Sequence, residues 1–329
     1  MSSSNATLAE INYITYVNQV INQFYSYFLI CFGTIGHLLN IYVFTRPILY
    51  SNPCARYFLA ATISGFLVAT INIPMRLVQS TYPMYNPFGY STASCKILTY
   101  ATACVKAYPN WFIVFACVDR FLCSSTSVNV RQWSNLRIVN RIILLIIIII
   151  GLFYLYILIV FENIQTHTKC PYTQTTYPLF HGIWNLLIFS LGPSLLMLIF
   201  GLLSIRNIQR SLQKVAVQKS QSRTQSEPMS PLQNQLKSKK TTDRQLIQMM
   251  LIQCFYFIST TTPFSVASIY TALRINIQKD SLQTVKDNMF TILVGLVSST
   301  SACTTFYCFT LSSQLFRQQL KKLFNYHRK

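Results

Sequence analysis

Between Ile142 and Phe161 the chain runs for twenty residues in which Gly151 is the only one that is not plainly apolar. At about 1.5 Å per residue a helix of that length reaches about 30 Å, the hydrocarbon thickness of a bilayer. Lipid offers no hydrogen bonds, so a crossing chain must satisfy its backbone within itself, which a helix does. Six more segments of spanning length follow: Phe24–Thr45, Ala55–Gln79, Lys96–Cys123, Phe180–Ile205, Leu246–Leu273 and Phe290–Leu311. Their Ser, Thr, Asn and Gln suit helices that face one another. Lys96–Cys123 is the most polar and reads as a central helix shielded by its neighbours. The expected fold class is an all-α membrane protein, a seven-transmembrane helix bundle.

Charge then orients the bundle. Only 10% of the 329 residues are charged, against about a quarter in ordinary soluble domains, and 52% are hydrophobic. Disorder is excluded because a net charge of +20 unfolds a chain only when hydrophobicity is low. The charges avoid the apolar segments instead of scattering through a globular fold, so the predicted partner is membrane lipid and not nucleic acid. Of the 27 Lys and Arg, 20 fall on alternate connections, at the end of the third segment or in the C-terminal stretch. The positive-inside rule then predicts an extracellular N-terminus and a cytoplasmic C-terminus. Asn5-Ala6-Thr7 is a glycosylation sequon on the predicted outside. No basic run precedes Arg46, so nothing there reads as a cleaved signal. The expected organisation is an extracellular N-terminus (1–23), a receptor domain (24–311) and a short tail (312–329). Its third intracellular loop, about 206–244, reads as helical extensions joined by a flexible tip. In the tail Leu315, Phe316, Leu320, Leu323 and Phe324 lie opposite Arg317, Lys321 and Lys322, the pattern of an amphipathic helix on the inner leaflet or, failing that, a frayed basic tail.

Individual residues carry a resemblance. Asp119-Arg120-Phe121 closes the third segment, and Cys95 lies 25 residues before Arg120. Gly36 and Asn40 form Gly-x-x-x-Asn in the first segment, with Pro193 in the fifth and Pro263 in the sixth. Over nearly its whole length the chain resembles the rhodopsin-like (class A) G-protein-coupled receptors, as a divergent, neuropeptide-receptor-like member. Phe121 replaces the usual Tyr of the Asp/Glu-Arg-Tyr triplet. Gly65 stands where the second helix usually has an acidic residue, which disfavours a sodium site, and Thr260-Thr261-Thr262-Pro263 replaces Cys-Trp-x-Pro. The Asn-Pro-x-x-Tyr motif aligns with Thr305 to Phe309, with Phe306 at the proline, or in another register uses Tyr307. The resemblance implies a plasma-membrane receptor, not an enzyme, that passes extracellular ligand binding to a heterotrimeric G protein, with arrestin-like regulators. It also implies a Cys95–Cys170 disulfide; two free thiols are the alternative.

Three positions invite chemistry. Arg120 needs a partner near the interface, and Asp119 is adjacent. The resemblance adds Asp243, 20 residues before Pro263, as a resting-state lock on that arginine; Thr241-Thr242-Asp243 also reads as a solvated helix start. Lys106, mid-helix, has no carboxylate at matching depth, so it faces a wet cavity, snorkels out, or sits neutral against carbonyls. With Thr102 and Arg76 it marks the expected ligand pocket, one suited to an anionic group such as a peptide carboxylate. Thr102 occupies the position at which amine receptors carry aspartate, which disfavours a biogenic amine. No metal or cofactor is expected, as no His or carboxylate cluster suits one. The competing class is a transporter or channel for an anionic solute; the odd number of helices and the absence of repeats count against it.

Overall fold

The computed structural model describes residues 2–82, 85–125, 127–160, 177–221, 231–274 and 280–326, with backbone alone for 2–5, 211–221, 231–244, 246–247, 315 and 324–326. Among the described residues there is no strand. Six helices are long and apolar enough to span a membrane, and a bent pair makes the seventh. They are α1 (Ser2–Phe44), α2 (Pro53–Thr81), α3 (Thr92–Ser124), α4 (Leu136–Val160), α5 (from Tyr177 through Gln221), α6 (Pro231–Leu273) and α7 (Ser281–Cys303 continued by Thr305–Ser312). A short α8 (Gln314–Tyr326) follows. Helix α5 reaches Gln221 and α6 starts at Pro231, within the expected third intracellular loop, whose tip, 222–230, lies outside the described residues.

Local chemistry sets the helix starts. Asn52 and Asn135 cap α2 and α4 by accepting from the amides of Cys54 and Arg137, both at 3.1 Å, and Ser91 with Ser94 forms a capping box on α3. Helices α1, α2, α3, α5, α6 and α7 close a ring, with α4 against the outside of α3. The polar third segment is the best shielded of the six unbroken spans, 56% buried, as a central helix should be. On α4, Leu144, Leu145, Ile148, Leu152 and Ile159 stay exposed, a face for hydrocarbon tails.

Prolines and glycines interrupt the regular hydrogen bonding of the spans. In α2 a π-turn (Val68–Asn72) precedes Pro74, with the Ile73 amide reaching back to the Val68 carbonyl. The same device interrupts α5 at Leu186–Leu191, before Pro193. There the Gly192 amide bonds Leu187 O, and Pro193 has no N–H to give Phe189 O, so the carbonyls of Ile188 and Phe189 lose their usual donors. Helix α3 supplies replacements: Trp111 Nε1 donates to Ile188 O at 3.0 Å and Asn110 Nδ2 to Phe189 O at 3.5 Å. Only glycine fits at 192, because a Cβ there would lie 2.2 Å from Leu187 O. Pro109, inside α3, also removes the usual donor to Val105 O.

Helix α7 bends by 51° at Thr304 without proline or glycine. The Thr304 amide and hydroxyl both bond Thr300 O, and Asn40 Nδ2 donates to Thr305 Oγ1 at 3.2 Å. Past the bend Phe309 is buried, while Tyr307 is half-buried with its hydroxyl on Phe32 O at 3.4 Å. Phe309 joins Phe44, Phe58 and Phe316 in a buried cluster with centroids 5.2–6.1 Å apart, which fastens α8 to α1, α2 and α7. Arg317, Lys321 and Lys322 are exposed on the other face of α8, as its amphipathic pattern predicts, and Arg317 donates to the α7 end carbonyls of Thr310 and Leu311.

Candidate functional site

Two polar centres lie at opposite ends of α3. Toward the Cys95 end the helices part around a cavity of about 660 Å³, within the range of ligand sites. Lys106, Thr102 and Arg76, singled out in the sequence, all line it. Lys106 Nζ lies 4.3 Å from the Phe264 ring centroid and 4.8 Å from that of Phe189. Insertion scales charge about 2.5–3.5 kcal/mol for a lysine at mid-span, and a desolvated cation–π contact returns about 2 kcal/mol. Two rings therefore offset most of the burial cost without a carboxylate. A ring face holds an ammonium more weakly than a carboxylate does, so an anionic occupant of the cavity would compete well for the Lys106 donors.

Arg76, two residues past Pro74, stands with its guanidinium 5.7 Å from the Phe88 centroid and donates to Gln79 Oε1 at 3.3 Å. Thr102 is bound within its helix: its hydroxyl donates to Leu98 O at 2.8 Å and Thr99 O at 3.1 Å, and its carbonyl accepts from Asn72. The cavity wall also carries His181, which the sequence reading passed over. Its Nδ1 lies 2.6 Å from the Tyr156 hydroxyl and its Nε2 2.8 Å from Asn185 Nδ2. The i, i+4 spacing of His181 and Asn185 was the available signal. Cys95 is buried and disulfide-bonded, and its expected partner Cys170 lies outside the described residues. The other eight cysteines form no disulfide. Asn5 falls in the first turns of α1, and its side chain is outside the described residues.

At the far end of α3, Asp119 and Arg120 are 4% and 2% exposed in their side chains, with 3.4 Å between Asp119 Oδ2 and Arg120 Nη2. A shorter bond runs from Arg120 Nη2 to Asn52 Oδ1, at 2.5 Å. Ser134, in the connection before α4, donates to Asp119 Oδ1 at 2.7 Å. Neither Asn52 nor Ser134 was legible as a partner, because each reads locally as a cap or loop residue. The side chain of Asp243 lies outside the described residues. Two residues on, Gln245 accepts from Ser313 at 3.2 Å, tying α6 to the α7–α8 corner.

A multi-pass bundle of seven helices, with a polar cavity at one end and a buried arginine at the other, has the build of a membrane signalling receptor. The chain matches the 7 transmembrane receptor (rhodopsin family) over residues 36–305, and it belongs to that family. No curated protein sequence matches it significantly. The family match leaves the carrier reading of the sequence without support.

Proposed function

We propose that this receptor sits in the plasma membrane with its N-terminus outside and C-terminus inside, and converts binding of an extracellular anionic ligand, a peptide, into activation of a heterotrimeric G protein. The carrying observation is Lys106, a mid-span cation held by two rings with its donors open to a cavity. Arg76 lines the same cavity, so a carboxylate would meet two cations there. Tyr82, Tyr85 and Phe88, with Pro83 and Pro87, give the connection beside it an aromatic character suited to peptide contact. A Cys95–Cys170 bridge would tie the following outer connection over the cavity. At the cytoplasmic end Arg120, with Asp119 and Asp243, forms the coupling switch, open to the G protein and to arrestin-like regulators once α6 swings outward.

A pooled peptide library applied to cells expressing the chain tests the ligand reading. Peptides with a free carboxylate should evoke signalling, and Lys106→Ala should lower their potency by about tenfold to hundredfold, the worth of a hydrogen bond to a charged group. Agonists that are cationic, with unchanged potency on Lys106→Ala, would overturn it. For the switch, Asp243→Ala should raise ligand-free signalling at matched surface expression; an unchanged basal level would remove Asp243 from it.

A further inference from the structure

We infer that Asn52 is a positioning residue for Arg120, holding it in the resting state and so setting the threshold for coupling. Asn52 is the N-cap of α2, followed by Pro53 at the first helical position, which biases the backbone of Asn52 toward the extended conformation it adopts. Its amide oxygen has two lone pairs and uses both. One accepts from the Cys54 amide at 3.1 Å, and the other takes the Arg120 guanidinium at 2.5 Å. That contact is shorter than the 3.4 Å separation between Arg120 and its neighbouring carboxylate. Asp119 is meanwhile engaged by Ser134 at 2.7 Å, so the two connections flanking α2 and α4 converge on one buried Asp–Arg pair.

The hold is firm enough to fix the guanidinium yet made to release. A neutral amide carries no full charge to oppose the arginine, and the N-terminal end of α2 is the positive end of its dipole, which disfavours a cation nearby. The balance therefore lies between a free arginine and a carboxylate clasp.

This inference rests on the signalling reading, and the test separates the two. Receptor in lipid nanodiscs is assayed for ligand-free nucleotide exchange on added G proteins and for thermal stability. Asn52→Ser keeps a good cap but is too short to reach Arg120 as well. Ligand-free exchange should rise about threefold or more, because a hydrogen bond to a charged group can shift a two-state equilibrium by about tenfold. Asn52→Asp gives α2 and Arg120 a negative partner, and exchange should fall below wild type. Ser91→Asn changes the cap of α3, at the end of that helix opposite Arg120, and should leave exchange unchanged. In a double-mutant cycle on melting temperature, Asn52→Ser and Arg120→Gln should be non-additive. An additive cycle, or exchange in Asn52→Ser no higher than in Ser91→Asn, overturns the inference. A non-additive cycle with no exchange in any variant, wild type included, supports the contact and overturns the signalling reading instead.

Discussion

Gly65, a departure from the family pattern, is explained by a residue 28 positions earlier. The His37 ring, 1% exposed, lies so close that a Cβ on Gly65 would sit 2.4 Å from its Cε1 and 2.8 Å from its Nε2, with Ala302 O at 3.2 Å. An imidazole from α1 thus fills the space that any side chain on residue 65 would need. Overpacking of this kind costs about 1–3 kcal/mol, so Gly65→Ala should melt at lower temperature. Because the clash is with the ring, adding His37→Ala should destabilise by less than the sum of the single changes. Additive melting shifts would mean that the two sites are independent. Lys106 was legible in the sequence because a charge inside a span is rare whatever surrounds it. His37 and Asn52 were not, since each depends on a distant partner: Gly65 for one, Arg120 for the other.

Helical elements show the same division. Their number and approximate ends followed from apolar length and caps, which are local properties. The π-turns in α2 and α5 did not, because one extra residue in a turn barely disturbs an apolar pattern; Pro74 and Pro193 marked only the neighbourhood. Gly192 gives the sharpest check on the α5 turn. By helix propensity alone, Gly192→Ala should stabilise by up to about 1 kcal/mol. The clash with Leu187 O is with backbone, which cannot rotate away, so the opposite sign is expected: a loss of about 1–3 kcal/mol, read as a lower melting temperature. A gain would show that the turn relaxes to regular α-helix, and that Trp111 and Asn110 are not needed to satisfy freed carbonyls.

For the molecule as a whole, the seven-span bundle was readable from hydropathy because lipid imposes a length and a closed backbone on every crossing. The cavity was readable only through the residues that cost most to place in it, and its aromatic floor emerged from packing between α5 and α6. Orientation rests on charge, and Asn5 tests it: wild-type receptor from cells should carry glycosidase-sensitive mass that Asn5→Gln lacks. An unmodified Asn5 together with an N-terminal epitope reachable only in permeabilised cells would reverse the topology. One feature reaches beyond the bilayer. Helix α1 has 43 residues, about 64 Å at helical rise, roughly twice the hydrocarbon thickness, and Glu10 near its start pairs with Lys286 of α7 at 3.0 Å. The first turns of the chain are thus a braced mast, and a sugar tree at its tip would stand clear of the headgroups, shading one side of the cavity mouth and leaving arriving molecules to approach from the other.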